Sequence, residues 1–420
     1  MKKVLETLII EALRKGIPPQ KGVELYSVGN EKLIKGIKKY HLSQIEDTGK
    51  IRFISGSWGG GKTHFFRIIR DIAFKENCIV SNVELTRDSA PLNKFEQIFY
   101  SIVRNISTPK YYKDVHSTDV APFGTVVEDA LQKLGDYNPN LGVEITNEQF
   151  SKAVKSLMGD KGIDIDFKKI IQYYWQTYLS ESAEHGIVEE KRGEILQWFT
   201  SEGSIGTYRK KFGINKMISR QNAKLMLQSI VEFIKLSGHK GLVILFDEAE
   251  QSYSIMRKSE LKDAHNNLLS LINNIENIPG ILLIYATTPD FFTDPKHGIV
   301  LYGALAQRIG KPEDKIPQAL DTIWNLDAVD TKLENYQLVA EKIREIYCKA
   351  NPGSSNTIAD KKETAKFVEE IYRKHPSFSG IKFWRLFITA LIHKYDLDNE
   401  RVKVPTEKIY IDVMERIQES

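Results

Sequence analysis

A glycine-rich loop carries the clearest chemical signal in this sequence. It fits the pattern G-x-x-x-x-G-K-[ST] through Gly56, Ser57, Trp58, Gly59, Gly60, Gly61, Lys62 and Thr63. Glycines let the backbone approach phosphate oxygens closely, and the helix that follows such a loop presents its positive N-terminal end to the same anion. The lysine of such a loop reaches the β- and γ-phosphates, and the threonine hydroxyl ligates Mg²⁺. The motif therefore predicts a site for ATP and Mg²⁺.

Two carboxylates, Asp247 and Glu248, follow the apolar run Leu242–Phe246. A continuous apolar run of this length is typical of a strand buried in a parallel sheet. In a phosphate-loop protein we expect Asp247 to hold Mg²⁺, usually through water. We expect Glu248 to polarise the water that attacks the γ-phosphate in line. The pair therefore predicts hydrolysis of ATP as well as binding.

A second apolar run, Ile281–Ala286, is followed by Thr287 and Thr288. A polar side chain at this point would lie between the acidic strand and the γ-phosphate. Thr287 is the first candidate and Thr288 the second, and both could instead cap the loop.

Three cations could act on the phosphates. A cation at the γ-phosphate stabilises charge in the transition state, and Arg308 is the candidate for that role. Lys382 or Arg385, at the start of a later amphipathic helix, could touch the phosphates in cis and report the nucleotide state. The sequence leaves the choice between these two open, and each of the three could equally be a solvated surface charge.

The elements that must position these residues read as an α/β fold. Strands are predicted at 51–55, 78–85, 242–246, 281–286 and 322–326, and helical patterns alternate with them, which favours a parallel sheet covered on both faces. Residues 1–50 read as an N-terminal helical segment and residues 51–330 as the phosphate-loop core. A helical insertion is predicted at about 105–235 because that stretch is too long for one crossover. Residues 331–420 read as a C-terminal helical lid.

These segments together resemble a known family, the AAA+ ATPases of the BREX phage-defence systems (the BrxC/BrxD family), and most of all its short BrxD-like members. The resemblance covers nearly the whole chain and is carried by residues 12–19, 26–29, 51–67, 241–248 and 285–291.

The resemblance implies more than the motifs do. It implies an origin-initiator-like AAA+ sheet with the acidic strand beside the phosphate-loop strand, and a helical lid. It implies ATP-dependent assembly into a homo-oligomer on DNA, with Arg308 reaching a neighbouring subunit, and other phage-defence proteins as partners. By motif match, Val28 and Gly29 would border the adenine, and His64, next to Thr63, joins the nucleotide-binding residues.

The best local candidate for DNA contact is the basic run Arg209, Lys210 and Lys211. It is flanked by Tyr208 and Phe212, and basic residues interleaved with aromatics can neutralise phosphates and stack on exposed bases. The lysine face of a predicted helix at 30–41 is the second candidate. A simply solvated face is the alternative for both.

Composition limits the remaining possibilities. The chain has 420 residues, 41% hydrophobic and 27% charged, and a net charge of +4 that permits a polyanionic partner without requiring one. No apolar run approaches the roughly 18 to 20 residues of a membrane span, and the N-terminus reads as an amphipathic helix and not as a signal peptide. Cys78 and Cys348 lack zinc-ligand spacing. We therefore expect a cytoplasmic protein without a membrane segment or structural metal.

Two functions remain open. The first is an ATPase motor or helicase loader that acts with DNA in bacterial anti-phage defence. The second is a nucleotide-gated adaptor that turns ATP over slowly and recruits a nuclease, methyltransferase or helicase.

Overall fold

The computed structural model describes residues 2–114, 120, 123–138, 145–179, 185–249, 256–329, 332–375 and 383–418. It is a mixed α/β structure with about 60% helix. The strands are β1 (Lys50–Ser55), β2 (Ile79–Glu84), β3 (Ile106–Ser107), β4 (Leu242–Asp247), β5 (Ile281–Thr287) and β6 (Ile323–Asn325). The helices are α1 (Lys2–Arg14), α2 (Glu31–Ile37), α3 (Lys62–Lys75), α4 (Phe95–Arg104), α5 (Pro109–Tyr112), α6 (Phe123–Gly135), α7 (Asn147–Gly159), α8 (Ile165–Gln176), α9 (His185–Leu196), α10 (Ile205–Phe212), α11 (Ala223–Leu236), α12 (Lys258–Asn274), α13 (Asp290–Thr293), α14 (Gly303–Ile309), α15 (Leu333–Ala350), α16 (Lys361–Lys374), α17 (Phe383–Asn399) and α18 (Thr406–Gln418). Among these described residues, no helix is both long enough and apolar enough to cross a bilayer.

The strands form one mainly parallel sheet in the order β3-β2-β4-β5-β1-β6. β2, β4 and β5 run parallel, with Glu84 opposite Asp247 and Phe246 opposite Tyr285. Because parallel strands in register end at the same edge, this pairing places the predicted acidic pair and the predicted threonines at one edge of the sheet. All five predicted strands are confirmed, each within a residue or two of its predicted bounds.

The expected position of the acidic strand was wrong. We expected β4 to lie beside the phosphate-loop strand β1, but β5 separates the two. Every residue of β5 is buried. A strand buried along its whole length is most stable with hydrogen-bonded neighbours on both edges, and the central place between β4 and β1 provides them.

Between β2 and β4, the regular elements of the described residues are helices and β3, a two-residue strand antiparallel to β2 at the start of the predicted insertion. Its helices pack around aromatic rings. Phe199 lies edge-on to Phe123 and Phe167, with ring centroids 4.9 and 4.8 Å apart. The buried Trp175 indole donates to the carbonyl of Val127 at 2.8 Å. Phe167 and Trp175, both buried on α8, therefore form part of the core of this helical layer.

The chain divides into two compact units. The first unit comprises Met1–Ile37, Ile54–Asp71 and Pro312–Ser420, and the second comprises Lys38–Phe53 and Ile72–Lys311.

In the first unit, α1 packs on α15 and α17. The Arg14 guanidinium donates to both carboxylate oxygens of Asp396, at 2.8 and 2.9 Å, and the Tyr347 hydroxyl donates to the same carboxylate at 2.8 Å. The N-terminal helix and the C-terminal helices thus pack together in this unit, which also contains the phosphate loop.

Candidate functional site

The phosphate loop lies in the first unit, between β1 and the start of α3 at Lys62. Its predicted strand–loop–helix setting is confirmed. Gly59 and Gly61 have φ values of +71° and +88°, a left-handed conformation that glycine adopts without steric cost. A Cβ added at Gly60 would lie 2.9 Å from the carbonyl oxygen of Ser57, so a side chain there would force the loop apart. The loop is therefore a backbone cradle that fits phosphate oxygens.

The Lys62 side chain is folded back onto the loop. Its amino group donates to the carbonyl oxygens of Gly56 and Ser57, at 3.0 and 3.4 Å, and lies 5.4 Å from the ring centroid of Trp58. Lys62 is 8% exposed, whereas Trp58 is 60% exposed. An ammonium at this place in the loop can donate to the oxygens of an anionic ligand.

Asp327 braces the start of the loop. Its carboxylate accepts from the backbone N–H of Ser57 at 2.8 Å and from the Ser57 hydroxyl at 2.5 Å. The Asp327 N–H in turn donates to the side chain of Asn325, at the end of β6, at 3.1 Å. Asp327 was not among the residues predicted from the sequence. The signal was present, since a carboxylate just after a short apolar strand is the feature that marked Asp247.

The acidic pair lies in the second unit, at the end of β4. Asp247 is its last residue and only 5% exposed, and one of its carboxylate oxygens accepts from the Glu248 N–H at 3.0 Å. Glu248 has a φ of +56°. A non-glycine residue in this region is uncommon and persists where its surroundings hold it there, which occurs often at active sites.

Thr287 ends the neighbouring strand β5 and is fully buried. Its hydroxyl has no hydrogen-bond partner among the residues that the structure describes. Thr288 is 5% exposed and follows the strand. A buried hydroxyl without a partner costs free energy, so Thr287 is the better placed of the two to meet a ligand atom.

A family model described as "BREX system ATP-binding protein BrxC/D" matches residues 1–411. The chain belongs to the BrxC/BrxD family. A search of the curated proteins finds no match to the chain. The description of this family names ATP as the ligand.

In this BrxC/BrxD protein, a histidine links the phosphate-loop helix to the segment predicted to border the adenine. His64 Nε2 lies 2.9 Å from the Ser27 hydroxyl, and Nδ1 lies 3.3 Å from the Tyr26 hydroxyl. Ser27 gives its only hydroxyl proton to the carbonyl of Val23, at 2.7 Å. Nε2 must therefore carry the imidazole proton and Nδ1 must accept from Tyr26. Burial lowers the pKa of His64 to about 4, so the ring is neutral at pH 7.

The same BrxC/BrxD segment is also held by two charged side chains. Lys342 on α15 donates to the carbonyl of Ser27 at 3.0 Å, and the N–H of Gly29 donates to the Glu31 carboxylate at 3.0 Å. The side chain of Asn335 lies next to Gly29. Sequence reasoning missed Lys342 and Glu31, since a lysine in mid-helix and a glutamate in a first helical turn are common surface residues.

The three predicted cations lie in different places. Arg308 is exposed on α14 in the second unit, where it donates to the carbonyl of Ala304 at 3.4 Å. Arg385 is half-buried on α17 in the first unit and lies beside Gly16. A Cβ added at Gly16 would be 3.3 Å from the Nε atom of Arg385. Lys382 lies outside the described residues.

The structure changes the predicted DNA contact in the role of its aromatic residues. Arg209, Lys210 and Lys211 are exposed on α10, and Lys211 pairs with Glu194 at 2.6 Å. The flanking Tyr208 and Phe212 are 3% and 7% exposed. The expectation that they stack on bases was therefore wrong, because an amphipathic helix turns these two positions, four residues apart, into the core.

Proposed function

We propose that the chain is a BREX ATPase that binds Mg-ATP at Gly56–Thr63 and hydrolyses it with Glu248. The observation that carries the proposal of hydrolysis is the conformation of Glu248. This residue follows the buried carboxylate of Asp247 at the end of β4 with a φ of +56°, and non-glycine residues in this conformation occur often at active sites. The family description, which names ATP, supports the proposal of binding.

The proposed roles follow the chemistry of each side chain. Lys62 exchanges its bonds to the loop carbonyls for bonds to β- and γ-phosphate oxygens. Asp247 and the Thr63 hydroxyl supply oxygen ligands of the kind that Mg²⁺ prefers, and one or two protein ligands suffice when phosphates and waters complete the shell. Mg²⁺, when bound, neutralises charge on the phosphates. Glu248 accepts a proton from the attacking water, and Thr287 positions that water or a γ-phosphate oxygen.

The action on DNA is a further part of the proposal. Arg209 and Lys210 are exposed on α10, and cations at such a surface can replace the counterions of a phosphate backbone. We propose a motor or a helicase loader in anti-phage defence, in which Arg308 of one copy completes the site of the next.

Binding is tested by titrating the purified chain with Mg-ATP in a calorimeter. Wild type is expected to bind, and Lys62→Ala is expected to lose at least tenfold in affinity because one charge-assisted bond is worth about 1.5 to 3 kcal/mol. Lys75→Ala, an exposed lysine at the end of the same helix, is the matched control and should bind as wild type does. Wild type without binding would refute the proposed function.

Hydrolysis is tested with Glu248→Gln, which keeps the size of the side chain and removes the base. We expect ATP binding to be kept and turnover to fall by about 10²- to 10⁴-fold, the usual contribution of a general base. Glu190→Gln, an exposed position on α9, is the control. Equal turnover in wild type and Glu248→Gln would remove Glu248 from the reaction. Negligible turnover in wild type, with and without DNA, would favour the adaptor function.

A further inference from the structure

The segment Ser27–Gly29 has its backbone groups occupied by charged side chains. Lys342 donates to the Ser27 carbonyl and Glu31 accepts from the Gly29 N–H, each at 3.0 Å. One residue, Val28, separates the two backbone groups. The N–H of Gly29 is the largest cause that lowers the pKa of Glu31, and the charge of Lys342 contributes as well.

The two side chains present the same pattern of donor and acceptor as the edge of an adenine ring. Adenine offers an amino donor at position 6 and a ring-nitrogen acceptor at position 1. Lys342 is a donor to a carbonyl, and Glu31 is an acceptor from an N–H two residues further on. Guanine reverses both groups, with an acceptor at position 6 and a donor at position 1, so it could not replace them.

We propose that Lys342 and Glu31 form a latch on the backbone groups that read the base, and that the adenine of ATP or ADP displaces it. This inference rests on the proposed function, because it assumes that the base binds along Val28 and Gly29. Base binding then breaks the bond between α15 and Ser27. The release of Lys342 on α15 thereby reports whether the base is bound, independently of the phosphates.

The latch is not required to hold the segment in place. Ser27 is fixed separately, since its hydroxyl donates to the carbonyl of Val23 at 2.7 Å and accepts from His64 at 2.9 Å. Lys342 is half-buried and Glu31 is exposed. Removing either side chain therefore leaves the backbone groups positioned, and exposes them to a ligand that can pair with them.

Calorimetric titration of the full chain tests the latch. The ligands are Mg-ATP, Mg-ADP and Mg-tripolyphosphate, which has the phosphates but no base. Lys342→Met should bind ATP and ADP about fivefold more tightly, because one competing hydrogen bond is removed, and should bind tripolyphosphate as wild type does. Lys342→Arg keeps a donor and should keep the wild-type affinity for ATP. Lys349→Met, an exposed lysine on the same helix, is the matched control and should change nothing.

The outcomes separate this inference from the proposed function. Unchanged ATP affinity in Lys342→Met would overturn the latch, and weaker ATP binding would overturn it in favour of a direct contact between Lys342 and the nucleotide. A gain for tripolyphosphate as large as the gain for ATP would also overturn it, because the effect would then come from charge near the phosphates. If wild type binds neither ATP nor tripolyphosphate, the proposed function itself fails.

Glu31→Ala provides a second measurement should Lys342→Met fold poorly. Because the Glu31 side chain is exposed, we expect a gain in ATP affinity of only about twofold, with tripolyphosphate binding unchanged. The double variant Lys342→Met with Glu31→Ala should gain at least as much as Lys342→Met alone. A loss of ATP affinity in Glu31→Ala would contradict the latch.

Discussion

The backbone N–H and the hydroxyl of Ser57 both donate to one carboxylate oxygen of Asp327, at 2.8 and 2.5 Å, across 270 residues of sequence. This contact ties the first turn of the phosphate loop to the end of β6. A loop that is held in its binding conformation loses less entropy when the ligand arrives. The effect of Asp327 on nucleotide binding therefore has two opposite parts, since its hydrogen bonds order the loop and its negative charge repels phosphate.

Two substitutions of Asp327 separate these parts. Asp327→Ala removes the hydrogen bonds and the charge, whereas Asp327→Asn removes only the charge and keeps an acceptor for Ser57. We expect Asp327→Ala to bind Mg-ATP about tenfold more weakly than Asp327→Asn, which corresponds to about 1.4 kcal/mol, within the range for one or two hydrogen bonds. Calorimetry measures both. Asp314→Ala, an exposed carboxylate in the same unit, serves as the control, and equal affinities for the Ala and Asn variants would show that the bond to Ser57 does not order the loop.

His64 should make the stability of the protein depend on pH in a defined window. Burial lowers its pKa from about 6.5 to about 4, so between these values the unfolded chain binds more protons than the folded one. The contribution of His64 to the free energy of unfolding is therefore fully present above pH 6.5. It decreases as the pH falls toward 4, by at most about 1.4 kcal/mol per pH unit.

His64→Gln tests this window, because glutamine does not titrate and its Nε2 atom can still donate to Ser27. Urea unfolding at several pH values should show that wild type loses stability relative to His64→Gln as pH falls from 6.5 to 4.5. His265, a buried histidine of the second unit whose pKa is also lowered to about 4 by burial, should behave in the same way when replaced by glutamine. Parallel stability curves for wild type and His64→Gln would contradict the assignment of a neutral buried imidazole.

Arg308 is exposed, which is the condition for reaching a neighbouring copy. Arg308→Ala and Glu248→Gln should each lower turnover at least 100-fold when alone, about the contribution of one such group. If Arg308 acts in trans, mixing the two variants should restore part of the activity, because an intact Glu248 in one copy then meets an intact Arg308 in the next. Phosphate release assays on the mixtures measure this. A mixture that stays inactive would place Arg308 in cis or outside the site, and Lys311→Ala is the matched control for a lost surface cation.

DNA binding should depend on Arg209 and Lys210 more than on Lys211, because Lys211 is paired with Glu194. If both exposed cations neutralise phosphates, the slope of the logarithm of the DNA-binding constant against the logarithm of salt concentration is negative. Replacing both cations by alanine should then reduce the magnitude of this slope by about 1.8. Lys211→Ala should lower it by less. The double variant Lys155→Ala with Lys191→Ala, at two exposed positions, is the control. A slope that does not change in the Arg209 and Lys210 double variant would exclude α10 from the DNA interface.

Much of the fold followed from local patterns. The runs that became β4 and β5 are apolar at nearly every position, and such short runs are typical of strands buried on both faces, so their place in the chain was predictable. The phosphate loop was predictable for a similar reason, since glycines, lysine and threonine within eight residues satisfy one local geometric requirement. The order of the strands was not, because it depends on which buried edges pair after the chain has collapsed.

The sequence by itself determined where the phosphate loop and the acidic pair lie in the chain and which family they belong to, because these motifs depend on neighbouring residues. Only the tertiary structure decided that β5 separates β4 from β1, that Tyr208 and Phe212 face the core, and which side chains brace the loop. Asp327 and Lys342 lie 270 and 315 residues from their partners Ser57 and Ser27. Contacts over such separations arise from packing of the whole chain, and neither a carboxylate after a strand nor a lysine in a helix identifies its distant partner in the sequence.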